Sequence, residues 1–252
     1  MGILWSKRIE SEPGIAVAKA QGFGAVEPSL SALAELDAEG LSSFEKRLKE
    51  SQLGCEVFAS ILPAGVAVTE RGFNIYSWTE YLRAALARAA RLGCRRLLWN
   101  EGKARILPIE GETSIFKEHF NQFLFMLCDI GEQYGMEICL EPLGPRRTNF
   151  INSLSEALQV IDSVNKPNLA IALSSSAYAE IGITDDELAI FAGRIAHARI
   201  EFSRDARPVS QAEDPGLPPF FKALKHIGYQ GAIALPGDSD EDILISCKRL
   251  WR

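Results

Sequence analysis

The stretch TEYLRAALARAARLGCRRLLWNEG, residues 79–102, carries the pattern on which the reading of the chain turns. Leu82, Leu86, Ala89 and Ala90 recur at helical spacing, which predicts an amphipathic helix over 79–92. Gly93 follows where a helix C-cap takes a left-handed backbone. A short apolar run over 95–100 then predicts a strand, and it ends in the polar pair Asn100-Glu101. Working outward, the same pattern recurs. Strands are predicted at 3–6, 25–29, 55–61, 137–141, 169–173, 196–202 and 231–235. Helical patterns fall at 12–21, 42–52, 114–134, 153–164, 184–193, 217–227 and 240–251, and Gly54, Gly135 and Gly228 repeat the role of Gly93. Residues 184–187, Thr-Asp-Asp-Glu, form a capping box.

Strand and helix alternate about every 30 residues, which points to βα units around a parallel sheet. Eight such units in 252 residues fit an α/β fold of one kind, a single closed (β/α)8 TIM barrel spanning 1–252. A doubly wound open sheet would place a Gly-rich turn after its first strand, and neither GxGxxG nor GxxxxGK[ST] occurs. No Ser-, Gly- or Pro-rich linker divides the chain.

Composition narrows the function. Hydrophobic residues make up 47% and charged residues 24%, which excludes a disordered or collagen-like chain. Lys and Arg number 27 against 33 Asp and Glu, a net charge of −6 with no basic block, so nucleic acid is not the expected partner. No apolar run approaches the roughly 20 residues of a membrane span, and no secretory signal is evident. The five cysteines, Cys55, Cys94, Cys128, Cys139 and Cys247, form no CxxC pair. They read as buried free thiols of a cytoplasmic protein rather than as zinc ligands.

In such a barrel the site lies at the C-terminal ends of the strands. The fifth strand ends in Glu141, a carboxylate that is costly to bury unless paired, and it is the candidate acid/base. The second ends in Glu27-Pro28, and the seventh alternates His197, Arg199 and Glu201 on one face. Arg105, Arg146, Arg147, Arg204 and Arg207 fall in loops at the expected mouth. Guanidinium groups grip phosphate or carboxylate bidentately, so these read either as an anion site or as solvated loop charge. Trp99 reads either as a stacking wall for a sugar or as core, and His197 as a core residue before a ligand.

The segment Leu140-Glu141-Pro142-Leu143, Thr148-Asn149 and the Ser153–Leu158 helix start SLSEAL resemble the xylose isomerase-like TIM-barrel family. So do residues 22–27 (GFGAVE), 90–94, Ala104-Arg105 and 224–231 (LKHIGYQG), and the resemblance runs over nearly the whole chain. The family includes sugar and sugar-phosphate isomerases and epimerases, hydroxypyruvate isomerase-type enzymes and endonuclease IV-type proteins. The resemblance implies one divalent cation at the mouth, held by Glu, Asp, His and Glu on strands five to eight. The cation would polarise the substrate carbonyl, and the two glutamates would move the neighbouring proton. The matching positions here hold Glu141, Ser174, Arg199 and Pro236. A hydroxyl, a guanidinium and a proline do not replace such ligands, so no metal or other cofactor is expected. Arg199 is expected to pair with Glu141 instead. Arg105, Arg146, Arg199, Arg204, Arg207, Trp99 and Ser174 are the expected substrate contacts.

Two function classes follow. One is a divergent or catalytically degenerate sugar isomerase or epimerase. The other is a metal-free binder of a polyol, sugar phosphate or carboxylate, or a partner subunit. An endonuclease is disfavoured, since only three His are present and the charge is negative. The short first unit leaves an edge that would suit a homodimer.

Overall fold

A computed structural model describes residues 3–109, 112–202 and 214–252. Eight parallel strands follow one another around a ring: β1 (Trp5–Ile9), β2 (Ala25–Pro28), β3 (Val57–Ala59), β4 (Arg96–Trp99), β5 (Glu137–Leu140), β6 (Leu169–Ser174), β7 (Ile195–Arg199) and β8 (Ile233–Leu235). Continuous pairing runs from β2 through β1 and β8 round to β3. The seam between β2 and β3 is closed by the bridges Ala25↔Gly54 and Ser29↔Ala59. The structure is thus a single (β/α)8 TIM barrel.

Around it, among the described residues, lie α1 (Pro13–Ala20), α2 (Leu30–Glu35), α3 (Ala38–Ser51), α4 (Thr79–Arg91), α5 (Thr113–Glu132), α6 (Leu154–Val164), α7 (Ser175–Ile181), α8 (Asp185–Ile190), α9 (Leu217–His226) and α10 (Glu241–Trp251). The longer ones present an apolar stripe to the strands. On α5 the stripe is Phe116, Phe120, Phe123, Leu124 and Leu127. No described helix is long and apolar enough to cross a membrane. All five cysteines are buried free thiols, and burial pushes Cys94, Cys128 and Cys247 up to about 12.

Strand alternation sorts the barrel into an outer core against the helices and a small inner one. The inner core is Val57, Ala59, Leu98, Cys139 and Ala172. Beneath it, Arg96 and Glu137 pair at 3.0 Å between register-matched positions of β4 and β5. Above it, the inward positions turn polar and make the site.

Some boundaries depart from the expectations. The first strand is at residues 5–9, not 3–6. Its charged half is strand because each charge finds a place: Lys7 donates to the Ser239 carbonyl and lies 5.3 Å from the Phe23 ring centre, while Arg8 stands in register with Glu27. The short helices α2 and α7 carry no periodicity long enough to read. They start because Ser29 and Ser174 accept the backbone N–H of Ala32 and Ala177. The helix expected over 184–193 is α8 followed by a separate 3-10 turn at Ala192–Arg194.

Candidate active site at the barrel mouth

The ends of β5 and β7 bring Glu141 and Arg199 together, both essentially without solvent exposure. Arg199 Nε lies 3.0 Å from Glu141 Oε2, the pairing expected from sequence. The other Glu141 oxygen, Oε1, has no hydrogen bond among the described residues. Arg199 also pairs through Nη2 with Glu201 Oε1. The other Glu201 oxygen accepts from Arg147 Nη1 and from Ser176 Oγ, each at 2.6 Å. Ser175 locks the main chain of the same residue, donating to Glu201 O at 2.8 Å and accepting from Glu201 N at 3.0 Å. A file of alternating charge therefore descends from solvent into the barrel: Arg147, Glu201, Arg199, Glu141.

Beside it, His197 Nε2 lies 2.8 Å from Glu27 Oε2, with both side chains buried. Burial works to raise the Glu27 pKa, and His197, Arg8 and Arg199 together outweigh it, leaving Glu27 below the usual carboxylate range. The same contest holds Glu201 low: burial raises it, and Arg199, Arg147 and the Ser176 hydroxyl win. Arg199 is pushed above the usual arginine range, since Glu141, Glu201 and Glu27 overcome its desolvation. All three stay ionised at neutral pH. Glu101 behaves oppositely. It is half-buried, and desolvation raises it although the N–H groups of Leu62 and Asn100 donate to it.

A cavity of about 230 Å³ opens over β7, β8 and β1, lined by Arg8, Glu10, Arg199, Glu201, Pro236 and Gly237 among others. That is below the ~300–1,000 Å³ of sites for drug-sized ligands and fits a small polar molecule.

The other expected contacts are placed differently. Trp99 is not a stacking wall: as an outward strand position it is fully buried, edge-on to Phe120 at 5.2 Å and Phe123 at 5.3 Å. Arg105 does not face the cavity. It is fully buried and its Nη2 donates to the Glu141 carbonyl at 2.6 Å, because the 3-10 turn at Lys103–Arg105 aims it at the main chain of β5. Burial, opposed by Glu141 and Glu101, lowers it to about 10. Arg146 lies on the rim, exposed and paired with Glu180 at 3.1 Å. The Ser174 hydroxyl is spent as the cap of α7. Arg204 and Arg207 lie outside the described residues. Sequence reasoning missed the Glu27–His197 pair and the roles of Arg8 and Glu10. The inward alternation of 197, 199 and 201 was the available signal for the first. Nothing marked Arg8, because its strand was read too early.

Fold and site together define the class: a closed βα barrel with a polar, charge-compensated mouth at the carboxyl ends of its strands. The sequence profile of the xylose isomerase-like TIM-barrel family matches residues 15–243, and the chain belongs to that family. It is 22% identical to the ketose 3-epimerase of Arthrobacter globiformis over 257 aligned positions, covering 100% of this chain and 88% of that protein. It is 28% identical over 145 residues to the inosose isomerase of Bacillus subtilis (strain 168), covering 51% of each, so the match spans about half of that relative. Among solved structures, the D-allulose 3-epimerase from Methylomonas sp. in complex with D-allulose superposes with a TM-score of 0.78 at 22% identity, covering 99% of this chain and 90% of that one. That likeness shows the fold.

Proposed function

We propose that this chain is a metal-independent member of its family that binds a small polyhydroxy compound at the barrel mouth. On this reading the sugar isomerase or epimerase chemistry of its relatives is divergent or lost. The observation that carries it is the Arg199 guanidinium, 3.0 Å from Glu141 and paired also with Glu201. It is a permanent positive charge at the centre of the mouth, between two carboxylates. The donor set around it does not suit a divalent cation. Ser174 is committed to a helix cap, Pro236 has no side-chain donor, and among the described residues no three His, Cys, Asp or Glu side chains converge. No reaction step is therefore derived through a metal. What supports a sugar-like ligand is the family membership, the epimerase and isomerase relatives, and a cavity that offers guanidinium donors beside carboxylate acceptors.

A second reading rests on one observation. Glu141 Oε1 has no hydrogen bond among the described residues, so its lone pairs remain open to a substrate proton. Against it, Glu141 is fully buried behind Arg199 and does not line the cavity.

The test combines metal counting with one variant. The purified chain is incubated with Mn²⁺, Co²⁺, Zn²⁺ and Mg²⁺ in turn, desalted, and bound metal is counted by mass spectrometry. No stoichiometric ion is expected, and one tight ion per chain would refute the proposal. Glu141→Gln should keep affinity for a ketose or polyol. Turnover of a ketose by the wild type that vanishes in the variant would establish the second reading instead.

A further inference from the structure

Glu201 sits in surroundings usually met by a bound anion. Two guanidiniums, Arg199 and Arg147, each hold one of its oxygens, and the Ser176 hydroxyl donates to the oxygen on Arg147. A carboxylate held by two arginines and a hydroxyl is a geometry by which proteins recognise carboxylate ligands. Here the chain supplies the anion itself, from a side chain that also lines the open cavity.

We infer that the mouth carries a carboxylate-binding site which Glu201 fills in the free protein, and that a small polyhydroxy carboxylate enters by exchange with it. The inference rests on the polyol-binding reading above and names the charged group such a ligand carries. The exchange conserves charge, since one carboxylate replaces another between Arg147 and Arg199. Glu201 has somewhere to go. Arg8 lines the same cavity and forms no ion pair with a described carboxylate within 4.0 Å, so the displaced side chain meets a third guanidinium rather than bare solvent. Glu10 on the cavity wall remains to accept ligand hydroxyls.

The decisive experiment is calorimetric titration of the full chain with D-gluconate, with D-glucitol as the uncharged polyol and inorganic phosphate as a non-carboxylate anion. Glu201→Gln removes the competing charge and sets an amide N–H₂ against a donor. It should bind gluconate about ten- to a hundredfold more tightly than wild type, the scale of one hydrogen bond to a charged group. Affinity for glucitol should not change. A folded Glu201→Gln chain, checked by circular dichroism, that binds gluconate no better than wild type overturns the inference. Tightening for phosphate but not gluconate overturns the carboxylate assignment. If Glu201→Gln does not fold, Arg8→Gln serves: it leaves the contacts of Glu201 with Arg147, Arg199 and Ser176 in place and removes the receiving guanidinium, whose charge also acts on Glu27, so its fold is checked by circular dichroism as well. Gluconate affinity should then fall, and an unchanged value overturns the exchange. Gluconate binding without any polyol binding would sink the polyol reading while leaving the carboxylate site standing.

Discussion

At the scale of single residues, the mouth is a set of buried charges that stay ionised only because each has a counter-charge. A buried pair contributes little net stability when intact, but removing one partner strands the other. Glu27→Gln should therefore destabilise the chain by about 1–3 kcal/mol at pH 7, measured by urea denaturation, because the buried His197 ring loses its carboxylate partner. The pH dependence has a definite sign. The folded pKa of Glu27 lies below its unfolded value of about 4.3, so its contribution is complete above that value. It is lost as pH falls through the folded pKa. Wild type should lose stability more steeply than Glu27→Gln between pH 5 and pH 3, values chosen to bracket that ordinary carboxylate range. Parallel curves would show that Glu27 titrates normally. The same logic explains Arg199: in this pocket it is held by two carboxylates at once, which a sequence alignment registers only as a missing histidine.

At the scale of elements, the site depends on where loops approach one another. Gly102 opens the 3-10 turn after β4, and a Cβ there would stand 2.6 Å from the Arg147 carbonyl oxygen. Its backbone is ordinary, so the requirement is for space and not for a left-handed conformation. Gly102→Ala should push the loop carrying Arg147 off Glu201 and cost about 1–3 kcal/mol, as overpacking does. Gly193→Ala, where nothing lies within 4 Å, should stay within about 0.5 kcal/mol of wild type. Equal effects of the two in denaturant titrations would remove the steric account. On the next element, Ser153 and Glu156 satisfy two backbone N–H groups: Glu156 N donates to Ser153 Oγ at 3.0 Å, and Asn152 N, one residue before the cap, donates to Glu156 Oε2 at 2.6 Å. The Asn152 side-chain amide ties that cap to the loop from Glu141, donating to the Leu143 carbonyl at 2.6 Å and the Thr148 carbonyl at 3.0 Å.

At the scale of the whole molecule, the barrel's interior is thin. Only Val57 and Leu98 are sizeable among its buried apolar residues, and the rest are Ala59, Cys139 and Ala172. Small neighbours cannot move in to fill a void, so Leu98→Ala should cost about 2–5 kcal/mol and lower the denaturation midpoint without changing the slope. A loss under about 1 kcal/mol would mean that the polar layers above and below, not this plug, hold the barrel closed. The polar layer above the plug is also where the family's chemistry would be sited. In this chain it is a compensated salt lattice.

How much of this could be read from the chain alone divides along a physical line. Helix periodicity, glycine C-caps and strand spacing are local properties, and from residues 79–102 outward they determined eight βα units and hence the barrel. Strand alternation placed Arg199 and Glu201 on one inward face, and the pairing of Arg199 with Glu141 followed from the cost of burying a lone carboxylate. Alternation alone did not say which way Trp99 faces, because either parity of an apolar strand satisfies the local pattern. Only closure of the barrel sent Trp99 to the helices and Asn100 inward. Nor could it show that Arg105 turns to a carbonyl, or that Glu27 finds His197 across 170 residues of chain. Those contacts join segments remote in sequence, and their partners are chosen by the ring of strands and not by any neighbour along the chain.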